Sequence, residues 1–102
     1  MQFLNLTLRA EKPELNLNRV YQIRVEKGLF GSWCVLTAYG RYGGGSHQKI
    51  HSFFTLQEAK AFVRTTLKKR SQAEKRIGCS YRLISKDYSK DFAEVCAYPN
   101  YS

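Results

Sequence analysis

The period of the apolar residues changes at Thr55, and this change constrains the fold more than any other feature of the chain. Upstream of it, apolar and polar residues alternate, which is the period of a half-buried strand. Phe3 to Arg9 alternates in this way until Lys12-Pro13-Glu14 interrupts the pattern. Val20 to Val25 repeats it, with Tyr21, Ile23 and Val25 on one face. Gly28 to Gly31 reads as a turn and Trp33 to Tyr39 as a third strand. This third strand is apolar on both faces and is therefore expected at the centre of its sheet. A glycine-rich loop, Gly40 to Ser46, leads into a fourth strand, His47 to Phe54.

From Thr55 the pattern is helical. Thr55 and Glu58 have the spacing of a capping box, in which each satisfies a backbone N–H of the other. Leu56, Ala59, Val63 and Leu67 then form one stripe, with Phe62 beside it. Lys68-Lys69-Arg70 suits the negative end of a helix dipole, and Gly78 marks a stop. Ser80 to Ile84 supplies a last strand. Strands, one main helix and a final strand predict an α+β fold: a single small domain, with an antiparallel sheet of about five strands and the helix packed across it. Residues 1–17 are expected as an N-terminal strand or extension and residues 18–84 as the main body. Residues 85–102 form a tail carrying Tyr88, Phe92, Tyr98 and Tyr101, packed on the domain or on a partner. A short helix starting near Ser89 would put Phe92, Val95 and Cys96 on one face.

Composition narrows the class. The 102 residues are 43% apolar, enough for one core, and no stretch approaches the roughly 20 apolar residues of a membrane-spanning helix. The N-terminus lacks the charged region and apolar run of an export signal, so a cytoplasmic setting is expected. Cys34, Cys79 and Cys96 are odd in number and contain no CxxC pair, so free thiols packed as small hydrophobes are expected.

The charge is uneven. Seventeen Lys and Arg against eight Asp and Glu give a net +9, and residues 60–90 hold ten basic side chains against Glu74 and Asp87. Lys60, Arg64 and Lys68 recur every four residues and so share a helix face. Lys69, Arg70, Lys75 and Arg76 are expected to extend that face toward the next loop. Such a stripe can replace the counterions of a phosphate backbone. A merely solvated face normally mixes signs, whereas Glu74 is the lone negative here. A second constellation joins Tyr39, Arg41 and Tyr42 at a strand end that opens into Gly43-Gly44-Gly45. Aromatic faces stack on bases or sugars, and arginine pairs bidentately with phosphate. Trp33 shares a face with Val35, Thr37 and Tyr39 and is expected in the core, while Tyr39 can serve as core or as ligand contact. Lys49 and His47, on the next strand, are further phosphate candidates.

Catalytic and metal chemistry find little support. His47 and His51, four apart on a strand, lie roughly 13 Å from each other, too far for one ion. Cys34 sits mid-strand in an apolar run, where a His47-activated nucleophile is not expected. The carboxylates are scattered, and the glycines lack the GxxxxGK[ST] pattern of a phosphate loop. A non-enzymatic protein with no cofactor and no metal is expected.

The segment from Trp33 through Tyr39-Gly40-Arg41-Tyr42-Gly43 resembles the signature of the WGR domain, with Tyr39 standing where the family has Trp. Tyr21-x-Ile23, Gln48-Lys49 before Phe53 and Phe54, Glu58-Ala59 with Phe62, and Lys75 to Tyr81 match further family elements in order. The resemblance, over about residues 18 to 84, implies a compact antiparallel sheet with one helix. It also implies nucleic-acid binding, as in the modules of poly(ADP-ribose) polymerases, in a small stand-alone protein of bacterial type. The polymerases pack the triplet tryptophan on the terminal sugar of a broken strand. Here the corresponding face is the smaller Tyr39. The expected partner is thus nucleic acid, DNA before RNA, held through phosphates and at strand ends or nicks, with no membrane role. The alternative is an adaptor that associates with itself or another protein through its aromatic tail.

Overall fold

The computed structural model describes residues 2–96. Five strands form one antiparallel sheet: β1 (Phe3–Lys12), β2 (Leu17–Lys27), β3 (Trp33–Arg41), β4 (Ser46–Phe53) and β5 (Arg82–Tyr88). Their order across the sheet is β4-β3-β2-β1-β5. The main helix α1 (Leu56–Ser71) crosses one face, followed by short helices α2 (Ala73–Ile77) and α3 (Ala93–Cys96). The α+β architecture read from the periodicity is the one observed.

The alternation explains the core. Leu4, Leu6, Leu8 and Ala10 of β1, Tyr21, Ile23 and Val25 of β2, and Trp33, Val35 and Thr37 of β3 are buried on the same face. Against them α1 lays Ala59, Val63 and Leu67, all buried. Each large side chain removed from water in this way contributes about 1.5–3 kcal/mol. The helix starts where expected: Thr55 accepts from the Glu58 backbone, and the Glu58 carboxylate accepts from the Thr55 N–H in return. The buried Thr66 hydroxyl donates to the Phe62 carbonyl, so it adds no unsatisfied group.

Three expectations change. The first strand runs on to Lys12, pairs with β2 along its whole length and lies between β2 and β5, inside the sheet. The continuous β1–β2 ladder is made possible by a 3-10 turn at Pro13–Leu15, closed by Asn16 in the left-handed region at φ 51°. Second, β3 is one strand away from the centre, which β2 occupies. Its outer apolar residues Cys34 and Leu36 are half-buried on a face that no helix covers. Third, the last strand begins at Arg82 and reaches Tyr88, with a register shift opposite Thr7 and Leu8. The tail beyond it folds back: Phe92 and Val95 are fully buried in the common core, and Tyr88 packs at its edge. Tyr98 and Tyr101 lie outside the described residues.

Two glycines are required by geometry. A Cβ on Gly40 would collide with the carbonyl oxygen of Gly45 across the β3–β4 hairpin. Gly78 ends α2 with φ 81°, a conformation that side chains disfavour.

Candidate nucleic-acid interface

The β3 side chains that point toward α1 continue past the core. Trp33, Val35 and Thr37 are covered by the helix, but Tyr39 and Arg41 emerge beyond it at the open end of the strand. Tyr39 stacks on Tyr21 at 6.1 Å between ring centroids, and His47 tilts against its other side at 5.4 Å. Tyr21 meets Tyr81 edge-on at 6.4 Å. These three tyrosines form the aromatic floor of a cleft between the C-terminal half of α1 and the sheet.

The cleft consists of three adjoining depressions that share Arg70. One, of about 360 Å³, lies between α1 and β4 and includes Tyr39, Lys49, His51, Thr65, Lys69 and Arg70. A larger one, of about 570 Å³, runs under the β1–β2 turn and is bounded by Asn16, Arg19, Arg41, Arg70 and Tyr81. The smallest, of about 70 Å³, adds Arg76 and Ile77. Six cations, Arg19, Arg41, Lys49, Lys69, Arg70 and Arg76, line the three, and no described Asp or Glu does. Low-dielectric walls with one sign of charge focus the field in such a groove.

Arg70 is the centre. Its guanidinium lies over the Tyr21 ring at 4.6 Å, a cation–π arrangement. Its Nε is buried with no hydrogen-bond partner among the described residues. Burial pushes the Tyr81 phenol above its usual 10.0, against the opposing pull of the Arg70 and Arg19 charges. Arg41 is held in place by the β1–β2 turn: it donates to the Asn16 carbonyl at 3.1 Å and to the Asn16 side-chain oxygen at 3.0 Å.

Not every basic or aromatic residue expected at the site reaches it. Lys69 and Arg70 do not extend the Lys60 stripe, because 100° per residue turns them toward the opposite flank of α1. Lys60 instead pairs with Glu94 at 3.4 Å and lies 5.9 Å from the Phe92 ring. Arg64 and Lys68 are exposed on that same flank, and Lys75 is exposed on α2. Tyr42 points to the uncovered face of the sheet, where the Arg9 guanidinium stacks on it at 4.0 Å. Arg19, Tyr21 and Tyr81 enter the site without having been singled out for it. For Arg19 the signal in the sequence is strand alternation, which puts it on the Tyr21 face; its place beside Arg41 comes from the register.

Other chemistry is dispersed. Cys34 faces Ser52 and His47 faces Tyr39, far apart along the strands. Cys34 and Cys79 are free thiols. Among the described residues no three His, Cys, Asp or Glu side chains cluster for a metal ion, and no helix is long and apolar enough to cross a membrane. No curated protein matches the chain. The WGR domain model matches residues 4–77, from the start of β1 to the end of α2. Strands β1 to β4, the crossing helix and the Tyr39-Gly40-Arg41 strand end fall within that match, β5 lies beyond it, and the chain belongs to the WGR domain family.

Proposed function

We propose that this WGR domain binds DNA through its phosphate backbone, with the α1–sheet cleft as the contact surface and Tyr39 and Arg41 at the strand end. The family supports the coarser part of this reading, since the WGR domain is a nucleic-acid-binding module in poly(ADP-ribose) polymerases rather than a catalytic domain. The single observation that carries the rest is the convergence of six cations on a tyrosine floor from which described carboxylates are absent. Among the described residues the ion pairs engage Arg9 and Lys60, neither of which lines this cleft.

Lys49, Lys69, Arg70 and Arg76 supply charge from two sides, so a phosphate strand lying in the groove meets donors on both walls. Arg70 is pre-ordered on Tyr21 and so loses less side-chain freedom on binding than a free surface lysine. Tyr39, half-exposed at the end of the groove, offers its free edge to a sugar or a terminal base. Contacts to backbone and sugar carry no direct sequence information, so little sequence preference is expected.

The test is fluorescence anisotropy of labelled continuous, blunt-ended and nicked duplexes over a salt series. For four contacted phosphates, log K falls against log salt with a slope of about −3.6. Arg41→Ala weakens binding to ends and nicks more than to continuous duplex. A flat salt response with no binding at low salt overturns the reading, and equal losses on all three duplexes remove its end-recognition part.

A further inference from the structure

The end of the sheet opposite the cleft has a different character. β3 runs from Trp33 to Arg41, so its two ends lie roughly 27 Å apart. Lys27 pairs with Trp33 and Trp33 with Phe53, which brings the β2–β3 turn, the end of β4 and the start of α1 together. Three large apolar side chains stand in solvent there: Leu29 at 82% exposure, Phe30 at 105% and Phe54 at 90%. Residues 28–34 and 52–57 contain no charged side chain. Phe30 also holds φ 64°, a left-handed backbone that aromatic residues rarely adopt, and among the described residues no contact accounts for an aromatic ring at that position.

The charges bordering this patch are of both signs. Glu26 and Lys27 end β2, and Glu58 sits in the first turn of α1. A chain of net +9 thus presents, at this end, an apolar patch whose bordering charges are of both signs.

We infer that this end is a self-association surface, on which two copies pack their Leu29–Phe30 turns and Phe54 side chains against one another about a twofold axis. Charge selects the second copy. Equally basic chains repel one another over most of their surface, but here Lys27 of one copy can face Glu26 or Glu58 of the other, as a self-complementary patch requires. The area agrees with a weak dimer. Two phenylalanines and a leucine offer roughly 500 Å² per copy, or about 1,000 Å² in all, the lower bound of specific interfaces. Twofold packing at this end leaves both clefts free and facing apart. If the proposed DNA reading holds, such a dimer bridges two duplexes.

Sedimentation velocity on the whole chain between about 1 and 200 µM tests this, with a dissociation constant on the order of 10 µM expected. Phe30→Asp and Phe54→Asp each weaken association at least about tenfold. Phe30→Gly, which suits the left-handed backbone, weakens association while the melting temperature holds or rises, separating a contact from a folding defect. Phe30→Asp leaves affinity for a short single-site duplex unchanged, so this inference and the DNA proposal can fail separately. With donor- and acceptor-labelled duplexes, the parent chain gives energy transfer and the variant does not. A chain that stays monomeric up to about 200 µM overturns the inference, as does a dimer that survives both aspartate variants. Phe30-dependent flotation of the monomer with phosphatidylcholine–phosphatidylserine vesicles would assign the patch to a lipid surface and also overturn it.

Discussion

Both flanks of α1 are basic, and they meet different surroundings. On one side Lys69 and Arg70 look across a groove at Tyr39 and Lys49, with no described carboxylate among the lining residues. On the other side Lys60 rests beside Phe92 and pairs with Glu94, while Arg64 and Lys68 stand in solvent. The same residue types on one helix therefore make a concave electropositive wall on one flank. On the other they make a partly neutralised buttress for the C-terminal segment. What lies opposite a charge, rather than the charge count, decides which it becomes. A lysine on a convex surface is screened within about 8–10 Å, whereas one facing an apolar wall keeps its field.

The contrast can be broken at several points. The largest effect is expected for Phe92→Ala, which empties the core beneath Lys60 and costs about 3–5 kcal/mol of stability in a urea melt. Affinity of the folded fraction for duplex stays unchanged, and a parallel loss of affinity would mean that the two flanks are coupled. Arg70→Gln comes next, with duplex binding at least about tenfold weaker and a salt slope shallower by about 1. If Arg70→Gln binds like the parent chain, the cleft is not the contact surface.

Tyr81→Phe should change little at neutral pH. Because burial raises the folded-state phenol above 10.0, the native state keeps a proton that the unfolded state loses above that value. Stability therefore falls as pH rises past 10.0, and the variant flattens that alkaline loss in thermal melts between pH 9 and 11. An unchanged alkaline slope in Tyr81→Phe would place the titration elsewhere. The smallest effects belong to Arg64→Ala and Lys68→Ala, each expected to alter duplex affinity less than about twofold. Losses as large as that of Arg70→Gln would move the interface to the other flank.

Much of the fold was legible before any coordinates. Strand alternation located the buried faces of β2 and β3, and the Thr55–Glu58 box marked the start of the helix to the residue. Trp33 was identified as core and is buried. The misreadings have physical causes. β3 was expected at the sheet centre because it is apolar on both faces. Its outer face is instead uncovered, with Leu36 only half-buried. The extent of β1 and β5 was missed because charged residues such as Glu11, Lys12 and Lys86 hide strands whose pairing, not composition, holds them in the sheet. Of the residues expected at the site, Tyr39, Arg41, Lys49, Lys69, Arg70 and Arg76 line the cleft. Lys60, Arg64, Lys68, Lys75 and Tyr42 lie outside it, because a stretch of basic residues spans more than one helix flank and strand residues alternate faces.

Local order is written into the chain: alternation, caps and glycines act over a few residues and are readable as such. They determined five strands, one main helix and the apolar faces of β1, β2 and α1. The sheet order and register decided the rest. They set Arg19 beside Arg41, placed the Lys69 flank of α1 over the Tyr39 strand end and left Phe30 and Phe54 uncovered at one end. Electrostatic fields and exposed patches arise from side chains distant in sequence, so their shape exists only once the strands have paired.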